Sequence, residues 1–273
     1  MKKHFCAAFL ALLSMLSCVC PPAAAQAVDA DAGASAGANA GASASDETGP
    51  GAGQIAGVAI PGAMVLYGAL SLASGGIRKF DYQTRGEILE DGRVWNTTAD
   101  NYAQFAPAAA AYLLKFAGVK SKDSLLDMTL MYGLGNAVQA SVVTVTKSLA
   151  HRERPDGSNY NSFPSGHTAT AFVAAEFLHQ EYGYKSVWVD VAGYGVAAWV
   201  GAARVYKNRH WLSDVIAGAG VGILTTKGIY WAYPKLKMRW FGKHGRGHGE
   251  SVQIMPALEY NGGGADVAFV CRF

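Results

Sequence analysis

Lys147-Ser-Leu-Ala-His-Arg-Glu-Arg154-Pro155, Pro164-Ser165-Gly166-His167 and Arg204-Val-Tyr-Lys-Asn-Arg-His210-Trp-Leu-Ser-Asp214 are three short polar clusters set in apolar, helix-like sequence. They bring together cations at 147, 154 and 204, imidazoles at 167 and 210, the carboxylate of Asp214 and the start of a helix. That is an inventory for handling phosphate, and it fixes where the flanking helices begin and end.

Each cluster has a geometric reading. Lys147 and Arg154 are seven residues apart, so on a single helix they share a face two turns apart, with His151 on the same face. Like charges so placed repel, which leaves room for an anion between them. Ser165 is expected to cap a new helix. The N–H groups of that first turn have no partner within the helix and suit phosphate, and Gly166 permits close approach. His210 and Asp214 are four apart, so a carboxylate can hold the proton of one ring nitrogen and leave the other as a nucleophile. Taken singly, each cluster is ordinary helix-end chemistry. All three, however, lie where one apolar helix stops or the next starts, and in an antiparallel bundle such ends converge.

Outward from the clusters the chain reads as helices. Apolar patterns over 55–74, 77–89, 102–119, 124–149, 165–181, 187–205 and 211–231 imply an all-α bundle of five to six core helices. The 124–149 helix is expected to run on to about Arg154, stopped there by Pro155. Val252 to Tyr260 and Ala265 to Phe273, around Asn261-Gly-Gly-Gly264, predict a small C-terminal β-hairpin in which Pro256 is a weak point. Glu176 and His179 read as a solvated helix face.

Composition sets the surroundings. The chain is 51% hydrophobic and only 16% charged, against roughly 25% in ordinary globular domains. Much of it is therefore buried or in contact with lipid. A formal charge of +3 without a basic–aromatic block gives no case for nucleic acid. Residues 1–25 read as an export signal: Lys2 and Lys3, an apolar run from Phe5 to Val19, then Ala23-Ala24-Ala25. Removing it leaves Cys271 alone, without an intrachain disulfide. Residues 26–54 are an Ala/Gly/Ser tether, and 235–250 a basic, glycine-rich linker in which the His244/His248 pair has no helix to hold it. Lys235, Lys237, Arg239 and Lys243 suit anionic headgroups or a cytoplasmic helix end.

The pattern Lys-x6-Arg-Pro, Pro-Ser-Gly-His, Arg-x5-His-x3-Asp resembles the type 2 phosphatidic acid phosphatase superfamily, which also holds bacterial acid phosphatases and vanadium haloperoxidases. The resemblance covers roughly 102–233 and implies a phosphatase domain over 55–234. It implies that His210 attacks phosphorus, that Asp214 orients it, and that His167 serves as acid and then base. Lys147, Arg154 and Arg204 would clamp the phosphate, joined by Ser165 and Gly166, with no metal or other cofactor. Ala203 stands where the family pattern usually has serine. The implied substrate is a phosphorylated lipid or a small phosphoester, handled at a membrane surface on the periplasmic side of the envelope. A soluble acid phosphatase, a haloperoxidase and a headgroup-binding envelope module are the rivals.

Overall fold

The computed structural model describes residues 52–90, 92, 94–241, 253–261 and 264–272. The export signal, nearly all of the tether and the His244/His248 pair lie outside the described residues. The chain divides into two compact units, one ending at Tyr230 and one beginning at Trp231. The helices are α1 (Ala52–Ala73), α2 (Gly75–Glu90), α3 (Ala99–Ala103), α4 (Ala106–Phe116), α5 (Leu125–Ala150), α6 (Gly166–Tyr182), α7 (Val187–Tyr206) and α8 (Leu212–Phe241). Two strands follow, β1 (Gln253–Asn261) and β2 (Gly264–Arg272).

The first unit is all helix among its described residues, as expected, and it is built around α6. Twelve of its seventeen residues are buried, so α6 has no solvated face and its neighbours must surround it. On one side Phe172 and Ala175 pack with Met64 of α1, Tyr194 and Val200 of α7 and Ile223 of α8. On the other, Phe177 and Leu178 pack with Ala108 and Ala111 of α4 and Met128 of α5. Small residues set the spacing. A Cβ added at Gly222 would lie 2.4 Å from the Ala169 carbonyl oxygen, and one at Gly220 would lie 2.5 Å from that of Pro61. Helix α8 can approach α6 and α1 this closely only because it carries glycine there.

Several boundaries differ from the expectation. Helix α5 starts under Ser124, whose hydroxyl accepts from the Asp127 N–H, but it ends at Ala150, short of Arg154. His151 turns the chain with a left-handed backbone, φ 42°, ψ 41°. The predicted helix over 102–119 is two pieces, because Pro107 sits in the first turn of α4 and Gln104–Phe105 breaks away from α3. Helix α8 continues through Pro234 to Phe241, where a linker was expected from 235. Helix α1 takes in Ala52 and Gly53, the end of the expected tether.

Glu176 and His179 are not solvated. Glu176 is fully buried and accepts from Lys227 Nζ at 2.9 Å, the Tyr194 hydroxyl at 2.5 Å and Gln180 Nε2 at 2.6 Å. His179 Nδ1 lies 2.8 Å from the Asp190 carboxylate. Reading the helix singly could not show that α7 and α8 bring partners to its polar residues, which lets a carboxylate be buried at tolerable cost. In the second unit, β1 and β2 pair antiparallel from Gln253↔Arg272 to Asn261↔Gly264, the predicted hairpin, with Pro256 opposite Phe269.

Candidate active site

The first cluster divides at His151. Lys147, in the last turn of α5, donates from Nζ to the Asn161 carbonyl at 2.6 Å. Burial, followed by the charges of Arg154 and Arg204, pushes its pKa down to about 8, with Asp214 opposing. His151 does not share the Lys147 face. It is exposed, and its Nδ1 donates back to the Ser148 carbonyl at 2.8 Å. Arg154 is likewise off the helix, in a turn where its N–H donates to the Asn159 carbonyl at 2.9 Å. Its Nε is buried and has no hydrogen-bond partner among the described residues. The expected helical face is therefore wrong, yet Lys147 still lies in the field of Arg154, because the turn brings Arg154 back.

The second cluster opens α6. Ser165 occupies the cap position with extended backbone, φ −71° and ψ 112°, but its hydroxyl does not cap. It lies 2.9 Å from Thr168 Oγ1, and its N–H donates to the Asp214 carbonyl at 3.0 Å. The hydroxyl and N–H of Ser165 are thus committed inside the protein, and the donors left to the first turn are the N–H groups of Gly166, His167 and Thr168. His167 is half-buried, with Nε2 3.0 Å from Asn101 Oδ1. Burial, then the Arg204 charge, pushes its pKa down to about 4.

The third cluster spans the end of α7 and the start of α8. Arg204 is buried, and its Nη1 donates to Asp100 at 2.8 Å while Lys207 Nζ reaches the other oxygen at 2.7 Å. Arg204 Nε, like that of Arg154, is buried without a hydrogen-bond partner among the described residues. The turn that follows is folded by the Arg204 carbonyl, which accepts from the N–H groups of Arg209 and His210, with Asn208 at φ 56°.

His210 is buried, and its Nδ1 donates to the Ser162 carbonyl at 2.8 Å. A carbonyl only accepts, so the proton sits on Nδ1 and the lone pair on Nε2. Burial pushes the pKa down to about 4 against the pull of Asp214. Asp214 was expected to hold this proton, but its carboxylate is 3.8 Å from Nδ1, beyond hydrogen-bond length. His210 lies in the turn before α8, so the pair is not one turn of a helix. Asp214 instead accepts from Ser162 Oγ at 2.5 Å, the Trp211 N–H at 3.0 Å and Arg152 Nη1 at 2.6 Å.

Lys147, Arg154, Arg204, His167, His210 and Asp214, from four separate segments, therefore form one electrostatic neighbourhood. Arg152, Ser162, Asp100 and Asn101 belong to it and were not singled out from the sequence. Arg152 stood in plain view between His151 and Arg154. Its phase, two residues from Arg154, put it off the expected helical face, and only the end of α5 at Ala150 turns it inward. Ser162 acts through its carbonyl, which carries no sequence signal. Asp100 and Asn101 looked like loop polarity.

Residues 125–238 match the family model of the PAP2 superfamily. The chain is 44% identical over 138 residues to the lipid A 1-phosphatase of Porphyromonas gingivalis, covering 50% of this chain and 31% of that one. It is 37% identical over 76 residues to the bacitracin transport permease protein BcrC of Bacillus licheniformis, covering 28% and 36%. The chain thus spans about a third of the length of the curated relatives it matches. Among solved structures, a transmembrane PAP2-type phosphatidylglycerolphosphate phosphatase from Bacillus subtilis is similar at 22% identity and a TM-score of 0.44. That match covers 65% of this chain and 98% of the other.

Proposed function

We propose that this protein is a phosphatase that removes phosphate from a lipid phosphomonoester or diphosphate through a phosphohistidine. The observation that carries this reading is the meeting of three cations with two histidines, where two buried guanidinium Nε–H groups have no acceptor among the described residues. Buried donors are costly unless an acceptor meets them, and a phosphoryl oxygen is an acceptor of the right charge.

In the first step the His210 Nε2 lone pair forms an N–P bond while the P–O bond to the leaving group breaks. His167, protonated, gives its proton to the departing oxygen. In the second step water attacks phosphorus, His167 takes its proton, and the N–P bond breaks to release phosphate. Lys147, Arg154 and Arg204 neutralise the charge on the non-bridging oxygens, joined by the N–H groups at Gly166 and His167. Ser165 shapes this turn and presents no free donor of its own. The low pKa of free His167 fits the role only when substrate is bound, because the phosphate's negative charge raises it.

A lipid substrate is supported by the apolar exterior. Leu126, Leu130, Leu134, Val138, Val142, Val145 and Leu149 form an exposed row along α5. At about 1.5 Å per residue the row is about 35 Å long, close to the bilayer's hydrocarbon thickness of about 30 Å. Among the described residues two helices, over Ile55–Ala73 and Leu212–Met238, are long and apolar enough to cross a membrane. A similar protein is named for lipid A.

We place the site at the periplasmic face. Helix α1 ends at the site, where Ser71 meets Arg152. If α1 crosses the bilayer, Ala52 then lies on the cytoplasmic side, which is incompatible with a removed export signal at 1–25. A reporter fused at residue 50 separates the two arrangements.

The test is turnover of a lipid phosphomonoester in mixed micelles beside a water-soluble aryl phosphate. The lipid is expected to be hydrolysed with far higher kcat/KM, and vanadate to inhibit both. Preference for the soluble ester would favour an acid phosphatase, and bromide oxidation with added vanadate a haloperoxidase.

A further inference from the structure

We infer that Arg152 is the positioning residue of the His210 nucleophile, acting through Ser162 and Asp214 without touching substrate. The inference rests on the proposed role of His210. Arg152 is buried, and its Nη1 and Nη2 are held by the protein's own framework. Nη1 reaches Asp214 Oδ1 at 2.6 Å, Ser213 Oγ at 2.8 Å and Ser71 Oγ at 3.0 Å. Nη2 pairs with Asp81 Oδ2 at 2.7 Å. The guanidinium lies 5.6 Å from the Trp211 ring centre, and Trp211 Nε1 donates to the Glu153 carbonyl at 2.8 Å.

Two routes lead from Arg152 to the reacting imidazole, and both pass through Ser162. By the first, the Arg152 carbonyl accepts from the Ser162 N–H at 3.0 Å. By the second, Arg152 fixes Asp214, whose other oxygen accepts from Ser162 Oγ at 2.5 Å. The Ser162 carbonyl then holds His210 Nδ1–H at 2.8 Å. Pinned at both its N–H and its hydroxyl, Ser162 has little freedom to move the carbonyl that sets the tautomer.

The anchor extends to the first two helices. Asp81 of α2 accepts from the Ser213 N–H at 3.0 Å and its hydroxyl at 2.6 Å as well as from Arg152. One arginine therefore ties α1, α2, the 152–165 loop and the start of α8 to the ring. Lysine cannot replace it. A single ammonium has the charge but not the fork that spans Asp81 and Asp214 together.

The experiment uses the full chain in detergent with 15N-labelled histidine, assigning His210 by difference with His210→Asn. The wild type is expected to show one neutral Nδ1–H tautomer at His210. Arg152→Lys is expected to show a mixture, with kcat about 10- to 100-fold lower, as for a small misplacement of a reacting group, and KM within about threefold. Like Arg152→Lys, Ser162→Ala leaves the main-chain route in place, but it removes only the hydroxyl link and keeps the Arg152–Asp214–Asp81 anchor. It is expected to lose a smaller factor in the same direction, and it serves if Arg152→Lys fails to fold. An unchanged tautomer in the folded variants overturns the inference. So does a rise in KM at constant kcat, which would make Arg152 a substrate ligand. If the wild type hydrolyses no phosphoester, the phosphatase reading falls while the ring spectra still decide the role of Arg152.

Discussion

The two ends of α6 are both rich in charge, and they are built on opposite plans. At its C-terminal end, Glu176 meets Lys227, Tyr194 and Gln180, His179 meets Asp190, and Glu181 accepts from the Tyr230 hydroxyl and the Asp123 N–H. The charges there are answered within the protein, and the buried atom left without a hydrogen-bond partner among the described residues is the neutral Tyr182 hydroxyl. At its N-terminal end, Lys147, Arg154 and Arg204 crowd together, and two guanidinium Nε atoms find no acceptor among the described residues. A buried network satisfied by itself holds helices together, whereas one left electropositive holds an anion.

The comparison predicts different losses at the two ends. His210→Ala should reduce turnover by at least about 10⁴-fold with little change in thermal unfolding, as expected when a nucleophile is removed. Survival of substantial turnover would put the chemistry elsewhere. Arg154→Ala should cost about 10²- to 10³-fold in kcat/KM, the usual loss of one oxyanion donor. It should cost nothing in stability, because this guanidinium satisfies no partner of its own through Nε. At the other end, Lys227→Met leaves the Glu176 carboxylate without its cation. That should destabilise the fold by about 3 kcal/mol, while the folded protein keeps its kcat. A catalytic loss larger than the stability loss would mean that the two ends communicate. Gly222→Ala should cost about 1–3 kcal/mol in chemical denaturation by overpacking α8 on α6, again without change in the pH–rate profile.

The remaining effect is on pH. His167 and His210 titrate near 4 in the folded chain against 6.5 unfolded, so between those values the unfolded state binds more protons. Their contribution to stability is complete above pH 6.5 and is lost as pH falls toward 4. Replacing both with glutamine should flatten the acid side of the unfolding curve. Saturating phosphate should shift both titrations upward.

Much of this was legible in the sequence. The helices could be read because apolar residues recur along them, and the clusters because Ser165 marks the start of α6 and the charges gather near helix ends, although Pro155 lies beyond the end of α5 at Ala150. What stayed hidden depends on three-dimensional placement. The end of α5 is set by a left-handed His151, a conformation uncommon for any residue but glycine, and it is rewarded only when Arg152 finds Asp81 and Asp214. The partner of His210 is a main-chain carbonyl, the one group every residue carries. Glu176 looked solvated because its cation sits fifty-one positions later, on another helix. Asp214 was found and its immediate partner misjudged, since spacing of four suggested a helical pair where the chain makes a turn.

Trapping the covalent intermediate tests the central claim most directly. Rapid quenching with radiolabelled substrate should leave phosphate on the wild-type chain in an acid-labile, base-stable bond that maps to His210 and is missing in His210→Ala. Steady turnover with no such label, or a label that persists in His210→Ala, would contradict it.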